Sequence, residues 1–201
     1  GYAALTACTS GARNTAVGYT ALQHAVTSTD CIAIGYQAMS DQDVVGNGHA
    51  ANSDGNISIG SLSMSGAWAD AKSEYNVAIG TSTMAGVLDE QIGVVAIGHQ
   101  SLSAITSGLR NLGVGYRTLM TQTTGLDNIA IGYDSMRLAN NVNCTQNVAI
   151  GNYALDALTT RDLTGCVAIG YNAMTTCDSG TPDGTVAIGA SALTALTSGA
   201  G

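Results

Sequence analysis

The sequence predicts an all-β solenoid, a parallel β-roll or β-helix in which each repeat of 17–20 residues contributes one short strand and a short helical turn. Three observations predict it. A glycine returns at near-constant intervals along the whole chain. A triplet of bulky, small and bulky apolar residues precedes it, and a Leu or Met follows it four residues later.

The glycines come first, because an unrecognised repeat miscasts the entire fold. They stand at Gly1, Gly18, Gly35, Gly60, Gly80, Gly98, Gly115, Gly132, Gly151, Gly170 and Gly189, with spacings of 17, 17, 25, 20, 18, 17, 17, 19, 19 and 19 residues. Residues 1–201 therefore read as a single array without linker or second domain. Gly1 lacks its triplet and "TSGAG" stops where another strand would begin, so the array is expected to be a segment of a longer repetitive chain.

Each triplet is a strand. The residue before the glycine is Val or Ile in every copy that has one, and the residue three before it is Ile, Val or Leu, except Thr15. Apolar β-branched residues two apart are a strand signature. The residue between them is always small: Ala16, Ala33, Ser58, Ala78, Ala96, Gly113, Ala130, Ala149, Ala168 or Ala187. Since it is never charged, both faces of the sheet are expected to be covered. The bulky face would fill the coil. The small face, made by Ala16, Ala33, Ala78, Ala96, Ala130, Ala149, Ala168 and Ala187, would admit the backbone of another chain, so the sequence argues for more than one chain per particle.

The glycine ends the strand, with backbone angles that other residues avoid. Tyr at the next position (Tyr19, Tyr36, Tyr116, Tyr133, Tyr171) and Leu or Met three later have helical spacing, which predicts one helical turn. The chain returns through turn segments such as "TSGARN", "TSGLRN" and "TTGLDN". Asn14, Asn56, Asn76, Asn111, Asn128 and Asn147 open strands. Stacked from coil to coil, their side chains would satisfy polar groups at the corner.

Composition fits this architecture and excludes others. The chain has no Phe, one Trp and 26 Gly, which suits a thin coil rather than a wide globular centre. Its net charge of −8, with Lys72 the one lysine, lacks the basic footprint that nucleic acid or an anionic membrane surface requires. No apolar run approaches the roughly 20 residues of a membrane span. Cys8, Cys31, Cys144, Cys166 and Cys177 show no metal spacing; they read as small core residues or as partners in disulfides whose pattern the sequence leaves open.

Candidate chemistry is sparse. Hexads such as "IGYQAM" resemble those of left-handed β-helix acyltransferases, which use a histidine at a subunit groove, but the rest of each coil does not continue them. His99 replaces the Tyr of the repeat, His24 lies on the turn and His49 sits in an insertion, so no catalytic residue and no enzyme activity are expected. Asp41, Asp43 and Asp54, in the longest interval, are oxygen donors that a calcium ion would use, although their spacing matches no calcium loop and a solvated acidic loop is the simpler reading. No cofactor is otherwise expected. With His49 and Trp68 they mark the region furthest from the period, a candidate binding protrusion, since insertions in solenoids collect on one face. A cap folded over a widened coil is the competing reading of Trp68.

At "NVAIG", "NIAIG" and "NTAVG" the chain resembles the head repeats of trimeric autotransporter adhesins. It resembles more closely the N-T-A-I-G-Y-x-A-L repeats of phage tail fibres and related viral fibres, and the likeness covers the whole chain. The resemblance implies a homotrimeric rod at a virion or cell surface that presents binding surfaces to a host glycan or protein receptor. Five cysteines suit poorly an autotransporter that crosses an outer membrane unfolded, which favours the viral version. An ice-binding solenoid would need a flat Thr-x-Thr face, and none recurs.

Overall fold

The computed structural model describes residues 1–41, 53–68, 72–139, 144–156, 163–177 and 183–196. The strands are β1 (Thr15–Val17), β2 (Ile32–Ile34), β3 (Ile57–Ile59), β4 (Val77–Ile79), β5 (Val95–Ile97), β6 (Leu112–Val114), β7 (Ile129–Ile131), β8 (Val148–Ile150), β9 (Val167–Ile169), β10 (Thr176–Cys177), β11 (Val186–Ile188) and β12 (Ala195–Leu196). Ten of them form one parallel sheet in chain order, β1 through β9 and then β11. β10 pairs separately with β12, and isolated parallel bridges such as Trp68–Leu88 and Thr145–Thr164 continue a partial ladder on the returning side of the coil. The molecule is a β-solenoid with one triplet strand per coil.

Register is uniform. Ala130 pairs with Ala149 and Ala149 with Ala168, and every other triplet aligns in the same way. A slip of one residue would turn each triplet inside out, so the alternation itself holds the register. The anchor glycines continue the ladder beyond each strand: the Gly132 amide donates to the Val114 carbonyl at 2.9 Å and the Gly151 amide to the Ile131 carbonyl at 2.8 Å.

The faces are reversed relative to the sequence reading. Ala33, Ala78, Ala96, Ala130, Ala149, Ala168 and Ala187 point into the coil and are buried, and Ala16, in the first strand, packs against the same core. They are therefore not an inter-chain face. The interior is narrow, and the Leu or Met four residues after each glycine already fills it: Leu22, Met39, Met64, Met84, Leu102, Leu119, Met136, Leu155 and Met174 are all fully buried. A small residue opposite is what close packing leaves room for. Where the residue before that Leu or Met is Ser, its hydroxyl is satisfied inside by a strand carbonyl. Ser101 Oγ donates to Gly113 O at 3.1 Å and Ser135 Oγ to Ala149 O at 3.0 Å.

The expected helical turn is also absent among the described residues. After each glycine the chain makes a non-helical turn in which the second and fourth residues adopt left-handed angles, as at Gln100 and Leu102 (φ 56° and 51°) and at Asp134 and Met136 (φ 52° and 49°). An apolar residue three after another suits such a turn as well as a helix, so spacing alone did not separate the two.

At the corner the asparagines form the anticipated ladder. Asn128 Oδ1 accepts the Asn147 amide at 3.0 Å, and Asn128 Nδ2 donates to Cys144 O at 2.7 Å. Asn147 repeats the pattern with the Cys166 amide and Leu163 O. Cys31 and Cys166 occupy asparagine positions, and both are buried, as Cys144 is. Burial pushes the Cys166 thiol above its ordinary pKa.

Candidate functional surface: an aliphatic stripe and an aromatic ladder

Turning the alanines inward turns the bulky residues outward. Every residue flanking a triplet centre is Val, Ile or Leu apart from Thr15, and none is fully buried. Val17, Ile34, Ile97 and Ile150 are exposed, and Ile188 reaches 67 %. In-register pairing lines them into two continuous rows across ten strands. At about 4.8 Å per strand the stripe is about 43 Å long, and it is two side chains wide. An apolar strip of that extent is uncommon on a protein that stands alone. Beyond Thr15 it is made of Val, Ile and Leu alone, so what it turns outward is apolar surface.

Beyond the glycines runs an aromatic ladder. Tyr2, Tyr19 and Tyr36 stack with ring centroids 5.5 and 5.4 Å apart, and His99, Tyr116 and Tyr133 stack at 5.3 and 5.1 Å. Tyr153 and Tyr171 continue edge-on. Such geometries suit the quadrupole of the ring. The Arg117 guanidinium lies 4.8 Å from the Tyr116 centroid and grips the buried Asp134 carboxylate through two hydrogen bonds of 2.9 and 2.6 Å. Arg137 bonds Asp156 one coil further on, at 3.1 Å. Burial outweighs that bond and pushes the Asp156 carboxyl up. On the exposed corner, the hydrogen bonds from Arg13 and Arg110 hold Asp30 and Asp127 below the usual carboxylate range.

The proposed binding protrusion does not gather into one site. Asp43 and His49 lie outside the described residues. Asp54 accepts the Thr29 amide at 2.6 Å and so braces the corner, while Asp41 stands 3.4 Å from His24 Nδ1. Trp68 is not a surface contact residue. It is 5 % exposed, donates its indole N–H to Met64 O and bridges Leu88 of the next coil, so it closes the core. Among the described residues no three His, Cys, Asp or Glu side chains are grouped as a metal site would need. The anchor glycines Gly18, Gly35, Gly60, Gly80, Gly98, Gly115, Gly132, Gly151 and Gly170 stack against one another, each leaving no room for a Cβ beside the next glycine's carbonyl. Gly189 has nothing within 4 Å of that point.

Two features escaped the sequence reading: the outward stripe and the stacking of aromatic rings from coil to coil. A signal for the first was present. A Leu or Met that must be buried once per thin coil needs a small residue facing it. No family model matches the chain, and neither a curated protein nor a solved structure matches it.

Proposed function

We propose that the chain is a non-catalytic shaft segment of a fibre, self-associating through its aliphatic stripe into a homotrimer whose outer surfaces meet a receptor. The observation that carries this is the outward, part-exposed aliphatic stripe, which runs the length of the sheet and is self-complementary when parallel rods share an axis. A coil this thin buries little, and covering the stripe supplies apolar burial at roughly 25 cal/mol per Å². The number three, the viral rather than bacterial setting, and a place on a virion or cell surface come from the resemblance of the repeats to tail-fibre sequences. The absence of a recurring nucleophile, base and orienting group in the repeat supports a structural role over an enzymatic one.

Light scattering on the purified chain tests the proposal. A particle of three chains is expected, and Ile131→Glu with Ile150→Glu should release monomers. A folded wild-type monomer at micromolar concentration would refute self-association.

A further inference from the structure

The aromatic ladder is broken at one place. Backbone hydrogen bonds set Tyr36, Ser61, Thr81 and His99 in one column on successive coils: the Leu62 amide bonds Tyr36 O, the Ser82 amide bonds Ser61 O and the Gln100 amide bonds Thr81 O. Tyr36 has one ring face on Tyr19, and His99 has one on Tyr116. Their other faces look along the column towards each other, over Ser61 and Thr81. Three coil steps of about 4.8 Å separate the rings by about 14 Å, and allowing about 3.5 Å for ring thickness leaves about 11 Å clear.

The result is a notch two ring positions deep, with aromatic walls and a floor of two hydroxyls. Tyr36 is half exposed and Thr81 is exposed. Among the described residues neither the Ser61 nor the Thr81 hydroxyl has a hydrogen-bond partner. No Asp, Glu, Lys or Arg belongs to the column.

We propose that this notch binds uncharged terminal pyranose residues of a glycan. The C–H face of a pyranose carries slight positive charge and suits the negative face of an aromatic ring. Its rim of hydroxyls both donates and accepts, matching Ser61 and Thr81. A terminal pyranose laid face-on against the Tyr36 or the His99 ring would bring that rim over the floor hydroxyls. An aromatic side chain from a protein would cover the walls but leave the floor hydroxyls against carbon. An acidic sugar would bring a charge that nothing in the column neutralises. The proposal deepens the receptor-presenting reading above and rests on it for its biological setting.

Saturation-transfer NMR on the intact chain, with lactose, maltose, N,N′-diacetylchitobiose and p-cresol as probes, tests it. At least one disaccharide should saturate with a dissociation constant of about 1–10 mM, which is weak binding. Ser61→Tyr with Thr81→Tyr fills the notch with the residue the repeat itself uses, and should weaken that binding at least tenfold. Tyr36→Ser removes a wall and should do the same, whereas Tyr171→Ser should leave it unchanged. The assignment fails if no disaccharide saturates, if binding survives both notch variants, or if p-cresol binds tenfold more tightly than every sugar. Light scattering on the same samples reads the rod assembly separately, so a rod that assembles without binding sugar refutes the notch alone.

Discussion

A Cβ on Gly132 would lie 2.6 Å from the carbonyl oxygen of Gly151, one coil further on. Gly132 also has φ +132°, which side chains rarely tolerate. Both constraints act at once, so Gly132→Ala should lower stability by about 3 kcal/mol or more. Gly184 has φ +79° but nothing within 4 Å of its Cβ position. Gly184→Ala should cost only about 1 kcal/mol. Chemical denaturation of the two variants checks the difference.

Gln146 is an exposed residue held at φ 59°, five before an anchor glycine. The chain itself places Gly55, Gly93, Gly165 and Gly184 at the same point of other coils, all with positive φ. Gln146→Gly removes left-handed strain at the expense of some backbone entropy, and should raise stability by up to about 1 kcal/mol. A melting curve that falls would show that the Gln146 side chain contributes more than its strain costs.

The corner ladder predicts opposite outcomes for two substitutions. Asn128→Ala strips the Asn147 amide and the Cys144 carbonyl of a buried partner, for a loss of about 2–3 kcal/mol. Cys166→Asn restores the residue that the repeat uses and gives the Thr185 amide a stronger acceptor than sulfur. It should be neutral or stabilising by about 1 kcal/mol. Hydrogen exchange of the Asn147 and Thr185 amides reads both effects locally.

The reversed faces can be tested within one strand. Ala149→Leu forces three extra carbons into a filled interior and should destabilise the fold by about 1–3 kcal/mol. Ile150→Thr alters the outer row and should change the folding of a single chain by less than about 1 kcal/mol, acting on association instead. Circular dichroism for folding, with sedimentation for assembly, separates the two.

Asp156 gives a pH signature. Its carboxyl is pushed above the ordinary 3.8, first by burial, so the folded chain holds that proton more tightly than the unfolded one. Its contribution to stability therefore falls as pH rises from about 3.8 through the folded value, and stays at its lowest above that. Asp156→Asn should flatten this slope and match or exceed the wild type at pH 7. Asp30 and Asp127 act in the other direction. Their contribution is present above pH 3.8 and is lost as pH falls through their lowered values. Denaturation midpoints from pH 3 to pH 7 check the sign for each group.

The repeat, the strand positions and the asparagine corner were legible because eleven in-register copies show what each position tolerates. Which face of the triplet turned inward was not. Val and Ile normally mark the core, and here Met136 and its counterparts had already claimed it from the other wall of the coil. The turn after each glycine was misread because the separation of Tyr133 from Met136 suits a helix and a left-handed turn alike. Trp68 stood out by rarity, and rarity favours a large core plug as readily as a surface anchor.

Each strand of the ten-stranded sheet bonds only its counterparts in the coils before and after it, through hydrogen bonds that point along the rod. A pull on the two ends therefore passes through the coil junctions as through links in series, every junction feeling the same force. The weakest link sets the breaking load, so extra coils add reach and compliance but no tensile strength. Only rods bound side by side along their length divide that load between them.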